Sequence, residues 1–223
     1  EEDVLHDISF TARPGQTTGL IGPTGAGKST LVNLVLRFYD VTGGEIRIDG
    51  VDIRRLIRHD LRAKIGYVPQ KSTLFSGTVE SNLRYGGERA SDAAIQSAVR
   101  VAQAADFVAA RPEGTGRQIA QGGANVSGGQ KQRLSIARAL VKEAPIYIFD
   151  DSFSALDLKT EADLRRALKS ATGDSTLLIV TQRVSSIRDA DQIIVIDEGK
   201  IAGRGTHPEL MRTCDLYREI ATS

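Results

Sequence analysis

A glycine-rich segment near the amino terminus has the residue types and spacing of a phosphate-binding loop. It reads Gly22-Pro23-Thr24-Gly25-Ala26-Gly27-Lys28-Ser29 and continues into Thr30. Glycines let consecutive backbone N–H groups curl around phosphate oxygens, and the start of the following helix adds partial positive charge. The lysine reaches the β- and γ-phosphates, and the next hydroxyl ligates Mg²⁺. The segment predicts a site for a nucleotide and Mg²⁺, which kinases, GTPases and motor ATPases all share.

Two consecutive acids follow an apolar run later in the chain. The run Ile146–Phe149 predicts a buried strand, and Asp150 ends it. An acid at the carboxyl end of a strand beside a phosphate loop can hold the ligands of Mg²⁺. The alternative is an aspartate that only terminates the strand in a turn. Asp151 comes next, at the position in which a water-activating carboxylate would lie.

A second glycine pair opens a helical pattern in the middle of the chain. It lies in the run Ser127-Gly128-Gly129-Gln130, which precedes an apolar-periodic segment. A serine and paired glycines at the start of a helix make an anion-binding nest. The sequence therefore predicts two separate phosphate-binding surfaces on one chain.

These motifs need a scaffold of alternating strands and helices. Four short runs rich in branched residues predict strands, namely Thr18–Ile21, Ile146–Phe149, Leu177–Val180 and Ile193–Ile196. Such runs, interleaved with helices such as 28–37 and 130–142, indicate a parallel sheet covered on both faces. Period-two alternation over Glu45–Gly50 predicts an exposed antiparallel strand. The alanine-rich stretch from Thr78 to Ala110 has helical spacing and predicts a helical block inserted into the α/β core.

Bulk composition is that of one ordinary globular domain. The chain has 223 residues, 40% of them hydrophobic, and its 29 basic residues are offset by 28 acidic ones. Such balance gives no support for a nucleic-acid partner. The single cysteine, Cys214, excludes an internal disulfide.

The motifs taken in order resemble the ABC ATPase family. The family signature reads LSGGQ, and here only the leading leucine differs, being Val126. Val68-Pro69-Gln70 resembles the Q-loop, and Ser154-Ala155-Leu156-Asp157 resembles the D-loop. The segment Leu74–Leu83 resembles the stretch after the Q-loop in exporters, and Gly199–Leu210 resembles the closing segment, in which we expect His207 to be structural. The resemblance covers nearly the whole chain.

The resemblance implies a fold and a set of ligands. We expect one ABC domain over residues 1–223: an α/β P-loop NTPase core (a RecA-like mixed sheet) with an antiparallel β edge in 1–75 and 143–223. Residues 76–142 would form the inserted α-helical subdomain. ATP and Mg²⁺ would be bound, with Ser29, Gln70 and Asp150 as metal ligands.

The resemblance also implies partners. The phosphate loop and the strand that ends at Asp150 correspond to the Walker motifs of the family. In the family, two cassettes pack head to tail, and each site joins the Walker motifs of one cassette to the signature of the other. The expected partners are therefore a second cassette and the transmembrane domain of an exporter. That assembly would place the chain at the cytoplasmic face of the cell membrane.

Three residues depart from the family pattern. Asp151 replaces the water-activating glutamate, which retracts the carboxylate by roughly 1.5 Å. Gln182 replaces the switch histidine and has no ionisable ring, and Gln121 replaces a glutamate that exporters usually have. Because Asp151 and Gln182 both weaken catalysis at one site, we expect the degenerate half of a heterodimeric exporter.

Three alternatives stay open at this point. A homodimeric exporter domain with slow hydrolysis and an ATP-gated dimerisation module with negligible turnover would share every motif. A non-transport ABC ATPase of DNA repair or translation is disfavoured by the near-neutral charge. We place Val4–Phe10 in the strand that follows the adenine-stacking aromatic, and expect that aromatic upstream of residue 1.

Overall fold

The computed structural model describes residues 3–222, so the first two residues and the last of the expected domain lie outside it. The chain divides into two compact units. Unit 1 contains the chain up to Ile65, Pro145–Asp150 and the chain from Asp174, whereas unit 2 contains Gly66–Ala144 and Asp151–Gly173. The predicted insert 76–142 lies within unit 2.

The described residues contain ten strands. In chain order they are β1 Thr17–Ile21, β2 Arg47–Ile48, β3 Val51–Asp52, β4 Ile65–Val68, β5 Gly77–Thr78, β6 Gln118–Ile119, β7 Ile146–Asp150, β8 Thr176–Val180, β9 Gln192–Asp197 and β10 Lys200–Gly205.

The helices of the described residues are equally short in most cases. They are α1 Lys28–Val35, α2 Arg58–Ala63, α3 Val79–Arg84, α4 Asp92–Val101, α5 Ala105–Ala109, α6 Gly128–Val141, α7 Leu158–Ala171, α8 Val184–Ile187, α9 His207–Thr213 and α10 Asp215–Thr222, with 3₁₀ turns at Ile53–Arg55, Gly114–Gly116 and Gln121–Gly123.

The sheet of unit 1 confirms the predicted α/β class. Its strands lie in the order β10-β9-β1-β8-β7, all parallel except β10 at the antiparallel edge. Central positions such as Leu20, Ile148 and Ile194 are fully buried. All four predicted strands are present with at most one further residue at either end, because a strand buried on both faces is a nearly continuous apolar run.

The predicted antiparallel strand Glu45–Gly50 is present but much shorter. Only Arg47 and Ile48 pair, with the two residues of β3. Asp49 and Gly50 both have positive φ, 52° and 78°. An Asp-Gly pair with two positive φ angles makes a tight hairpin turn, so it ends the strand earlier than alternation predicted.

The predicted strand over Val4–Phe10 is wrong. No residue of this segment has strand geometry, and Asp7 has a left-handed φ of 52° that interrupts an extended backbone. The expected alternation is present, since Ile8 and Phe10 are half-buried and Ser9 is exposed. Within the segment, His6 N donates to the carbonyl of Gly199 at 2.7 Å.

The described helices also begin and end at residues with identifiable causes. The first helix stops at Val35 rather than the predicted Arg37, because Arg37 itself has a left-handed φ of 52°. The signature helix α6 starts at Gly128 instead of Gln130, because Ser127 caps it. In unit 2, α6 packs against α3 and α4, and α4 also packs against α7. This confirms the helical block.

The closing segment has a structural histidine. His207 Nδ1 lies 2.9 Å from Tyr217 Oη, so α9 is joined to α10. Tyr217 is fully buried, and burial raises the pKa of its phenol to about 12. Cys214, between the two helices, is buried as well. Between residues 3 and 222, no helix combines the length and apolar character needed to cross a membrane.

Candidate functional site

Three candidate residues of unit 1 lie at or just after the carboxyl ends of adjacent strands. Gly22 follows β1, Asp150 ends β7, and Gln182 comes two residues after β8. The strands are parallel, with Leu20 opposite Val180 and Asp150 opposite Val180 in register. Parallel sheets bind ligands outside the carboxyl ends of their strands. The fold therefore brings the predicted phosphate loop, Asp150 and Gln182 to one edge of the sheet.

The loop from Gly22 to Gly27 needs glycine for steric reasons. A Cβ on Gly22 would lie 1.9 Å from the carbonyl oxygen of Ile196, so no side chain fits there without a backbone shift. The loop is also bonded to the turn after β9, since Gly199 N donates to the carbonyl of Ala26 at 3.2 Å. Pro23, Thr24 and Gly25 are exposed at the crest of the loop. The loop is thus anchored at its base and open at its crest.

Lys28 lies beneath this loop. Its ammonium donates to the carbonyls of Gly22 and Pro23 at 2.6 and 2.7 Å, and the residue is only 8% exposed. A buried lysine must be hydrogen-bonded, because an isolated ammonium is costly to remove from water. These two bonds hold the ammonium inside the curve of the loop.

The start of α1 fits a phosphate group. Its N-cap is Gly27, with a φ of 102°, and this residue gives the first turn no side-chain cap. That turn also contains no acid, so nothing opposes the partial positive charge of the helix start. Ser29 is exposed at this point and Thr30 is half-buried. The uncapped N–H groups and the hydroxyl suit a phosphate and a cation, respectively.

Asp150 and Gln182 differ in their surroundings. Asp150 is 7% exposed at the end of β7. Gln182 is exposed, and its side chain makes no hydrogen bond to any residue between 3 and 222. Its loop is fixed by the bond from Arg183 N to Thr181 Oγ1 at 3.0 Å. The amide of Gln182 can therefore donate a hydrogen bond to an incoming group, although it cannot act as a general acid or base.

Asp151 belongs to unit 2, in which it contacts Gln70. The Nε2 group of Gln70 donates to Asp151 Oδ2 at 3.4 Å. The backbone of Asp151 is left-handed, with a φ of 44°, a conformation that aspartate adopts more readily than most residues. The next residue, Ser152, is fully buried and donates to the carbonyl of Val68 at 2.9 Å. Gln70 was predicted as a metal ligand, and here its amide faces the neighbouring carboxylate.

The predicted second phosphate nest forms the start of α6. Ser127 Oγ accepts from Gln130 N, and Gln130 Oε1 accepts from Ser127 N, which makes a capping box. Gly128 has open space where a Cβ would be, whereas a Cβ on Gly129 would lie 3.2 Å from the carbonyl oxygen of Ala155. Ser127 and Gly128 are exposed, whereas Gly129 and Gln130 are half-buried.

Sequence reasoning missed two buried polar residues of unit 2. Gln132 is 3% exposed, and Asn82 is 1% exposed. Asn82 exchanges hydrogen bonds with the backbone of Phe75, accepting at 2.8 Å and donating at 2.9 Å. Gln132 donates to the carbonyl of Asp151 and accepts from Ala155 N. A polar residue inside a charged stretch gives no sequence signal of burial, so only the fold identifies them.

An exposed aromatic pair lies after the Q-loop. Phe75 and Tyr85 stack with ring centroids 4.5 Å apart, although Phe75 is 45% exposed and Tyr85 is 71% exposed. The guanidinium of Arg138 lies over the Phe75 ring at 5.6 Å and donates to the carbonyl of Thr73. Burial lowers the pKa of Arg138. We call Phe75, Tyr85 and Arg138 the aromatic patch. Gln121, which departs from the glutamate usual in exporters, is exposed.

Comparisons with known proteins agree with this geometry. The family model described as ABC transporter matches residues 5–154. An uncharacterised ABC transporter ATP-binding protein of Mycobacterium tuberculosis is 52% identical over 99% of this chain and 38% of its own length. An ATM1-type heavy metal exporter of Novosphingobium aromaticivorans is 42% identical over 99% of this chain and 36% of its own length.

A solved structure gives the same result for the fold. The structure of a bacterial Atm1-family ABC exporter with ATP bound superposes with a TM-score of 0.95 at 42% identity. The match covers 98% of this chain and 39% of that one. The chain therefore spans less than two-fifths of the length of these proteins.

Proposed function

Because this chain belongs to the ABC transporter family, we propose that it is the ATP-binding and ATP-hydrolysing motor domain of an exporter, with a hydrolytic site of its own that is impaired. The observation that carries the proposal is the contrast between intact binding elements and altered catalytic ones. The phosphate loop and the signature nest keep every residue that binding needs. Asp151 and Gln182 are the two positions at which catalysis is weakened.

Nucleotide binding would rest on unit 1. The backbone from Gly22 to Gly27 and the uncapped start of α1 would hold the phosphates, with Lys28 supplying a positive charge. Ser29 and Asp150 would supply oxygen ligands for Mg²⁺. That ion, when bound, neutralises charge that develops on the phosphate oxygens during transfer. The fit is supported by the cradle of the loop, which admits no side chain at Gly22.

The catalytic positions would do less than those of an active cassette. A water-activating base must lie within hydrogen-bonding reach of the proton that it takes. Asp151 follows Asp150 directly, but its carboxylate is one carbon shorter than glutamate. A misplacement on the order of 1 Å costs about 100-fold in rate. Gln182 could donate to a terminal phosphate but could not take up a proton.

The signature nest would act on a second cassette. A phosphate nest on each of two surfaces of one chain is filled only when another molecule completes each pocket. Ser127, Gly128, Gly129 and Gln130 would therefore complete the nucleotide site of the partner. We propose a partner that is a different chain with an intact glutamate and histidine, so that the pair closes around ATP and opens after hydrolysis.

The transmembrane partner would bind at the aromatic patch. Exposed stacked rings are costly in water, and the Arg138 guanidinium lies over one of them, partly removed from solvent. An apolar segment with an acidic residue would cover both groups. This docking would place the chain at the cytoplasmic face of the membrane, where the closing of two cassettes would drive export.

A direct experiment tests the impaired site. Steady-state ATP hydrolysis would be measured for the chain alone, for the chain mixed with a cassette that has glutamate and histidine at the two positions, and for the Asp151→Glu/Gln182→His variant. We expect the double variant to be at least ten-fold faster than the unaltered chain, since both changes restore catalytic groups. Equal rates for the two would overturn the proposal.

The same data separate two other candidates. An ATP-gated dimerisation module would associate with ATP but would show no turnover in the mixture, in agreement with Gln182, whose amide cannot take up a proton. A slow homodimeric exporter would hydrolyse ATP with a rate per chain that rises with the concentration of the unaltered chain. Lys28→Ala, which removes the loop ammonium, is the control for contaminating ATPase activity.

A further inference from the structure

A buried glutamine connects the signature helix to the loop that carries Asp151. Gln132 is on α6, and its side chain reaches two backbone groups of the segment Asp151–Ala155. Its Oε1 accepts from Ala155 N at 3.1 Å, and its Nε2 donates to the carbonyl of Asp151 at 3.5 Å, at the long end of the hydrogen-bonding range. One side chain therefore bridges the first and last residues of this segment, which we call the Asp151 loop.

The chemistry of the bridge fixes the orientation of the amide. A backbone N–H can only donate, so the oxygen of Gln132 must face Ala155. The amide nitrogen then faces the carbonyl of Asp151, which can only accept. With 3% of the residue exposed, water is a poor substitute for either bond. The loss of one partner would leave buried polar groups unsatisfied, which is costly.

Two other hydrogen bonds of the Asp151 loop use its serine hydroxyls. Ser154 Oγ donates to the carbonyl of Asp151 at 2.9 Å, and Ser152 Oγ donates to the carbonyl of Val68 at 2.9 Å. Neither bond involves α6. The signature helix touches the loop at Gln132 and again at Gly129, whose position leaves only 3.2 Å between a Cβ and the carbonyl oxygen of Ala155.

We infer that Gln132 is a positioning residue that holds the left-handed backbone of Asp151 and ties it to the signature helix. The inference rests on the proposed function, in which the start of α6 contacts the nucleotide of the partner. A shift of α6 when Ser127 engages that nucleotide would move the Asp151 loop through Gln132. The two nucleotide sites of a cassette pair would thus be linked within unit 2 of this chain.

A double-mutant cycle tests this role. Gln132→Met keeps the volume of the side chain but removes both hydrogen bonds. We expect it to lower kcat about ten-fold in the Asp151→Glu/Gln182→His chain, with an unchanged KM for ATP, because a displaced carboxylate slows the chemical step. In an Asp151→Ala/Gln182→His chain, which has no carboxylate to position, the same change should alter kcat less than two-fold. Equal losses in both chains would show a merely structural role.

A second measurement needs no turnover. Hydrogen exchange at 151–155 would be followed in the Asp151→Glu/Gln182→His chain, with and without a cassette loaded with a non-hydrolysable ATP analogue. We expect the added cassette to slow exchange several-fold, and Gln132→Met to remove most of that protection. Equal protection with and without Gln132 would overturn the inference.

Controls keep the two proposals separate. Thr172→Val removes a buried bond to the carbonyl of Leu168, at 2.7 Å, within the same unit but away from the Asp151 loop. It should reduce stability without changing the ratio of rates in the cycle. The hydrolysis rate of Asp151→Glu/Gln182→His relative to the unaltered chain tests the impaired site alone. The ratio of kcat values with and without Gln132 tests this inference alone.

Discussion

Ser127 and Gln130 satisfy each other at the start of α6. Gln130 N donates to Ser127 Oγ at 3.2 Å, and Ser127 N donates to Gln130 Oε1 at 3.1 Å. In the capping bond the Ser127 hydroxyl oxygen is the acceptor. The hydroxyl hydrogen is not used by that bond and is still available for donation to another group. The signature serine is therefore held in place by its own helix before any partner arrives.

Substitution of the cap should separate stability from partner activation. Ser127→Ala removes the cap and is expected to lower the free energy of unfolding by about 1 kcal/mol. It should also reduce the hydrolysis that this chain supports in a partner cassette. Ser127→Thr keeps a capping hydroxyl and should retain most of the stability. Urea unfolding and a mixed-cassette ATPase assay check both effects; an unchanged unfolding midpoint for Ser127→Ala would contradict the first.

The two signature glycines should respond differently to a methyl group. Gly128→Ala adds it in open space at the start of a helix, so we expect a gain of about 0.5 kcal/mol, together with loss of partner activation. Gly129→Ala brings it 3.2 Å from the carbonyl of Ala155, which should cancel any gain. Thermal unfolding of the pair is the measurement. A Gly129→Ala chain more stable than Gly128→Ala would refute the packing argument.

The phosphate loop offers a similar matched pair. Gly22→Ala would place a Cβ 1.9 Å from a backbone oxygen, so we expect a loss of about 3 kcal/mol and no measurable ATP binding. Gly25→Ala meets no atom within 4 Å, but its φ of 86° is unfavourable for alanine and should cost roughly 1–2 kcal/mol. Calorimetric titration with ATP and denaturant unfolding would test this ranking. Equal losses of stability in the two variants would contradict it.

The raised pKa of Tyr217 predicts a loss of stability in alkali. Its phenol shifts from 10.0 to about 12 on folding, so the neutral form is favoured in the folded state. The stabilisation is fully present below pH 10 and is lost as the pH rises through about 12. The free energy of unfolding should fall by between about 1 and 3 kcal/mol over this range.

The matched control for that prediction is Tyr217→Phe. It should be less stable than the unaltered chain at pH 8 by about 1 kcal/mol, because the bond with His207 is lost. The advantage of the unaltered chain should vanish or reverse between pH 10 and 12, because Tyr217→Phe has no phenol to ionise. Urea unfolding curves over this range give the result, and parallel curves would contradict the pKa shift.

The sequence predicted those parts of the fold that depend on local composition. The four buried strands could be found because each is a continuous apolar run, and their ends differ by at most one residue. The hairpin at Asp49-Gly50 was missed although its turn signal is visible in the sequence. The error at Val4–Phe10 has another cause, since alternation does not supply the neighbouring strand with which a strand must pair.

The candidate site divides in the same way. The phosphate loop and the signature nest are contiguous segments, so their residues could be named from spacing alone. The contact between Gln70 and Asp151 joins residues 81 positions apart, and the burial of Gln132 depends on the packing of α6 against the Asp151 loop. No local pattern encodes either, because both arise only when distant segments fold together.

The single cysteine offers a practical route into these questions. A Cβ on Gly203 would lie 2.8 Å from the Sγ of Cys214, so β10 leaves no room around the thiol for a reagent. A maleimide dye should therefore not react with Cys214. It should label a cysteine introduced on the surface, such as at Leu158, which is 72% exposed. Fluorescence transfer between two such chains would then follow their approach in real time without removing the native thiol.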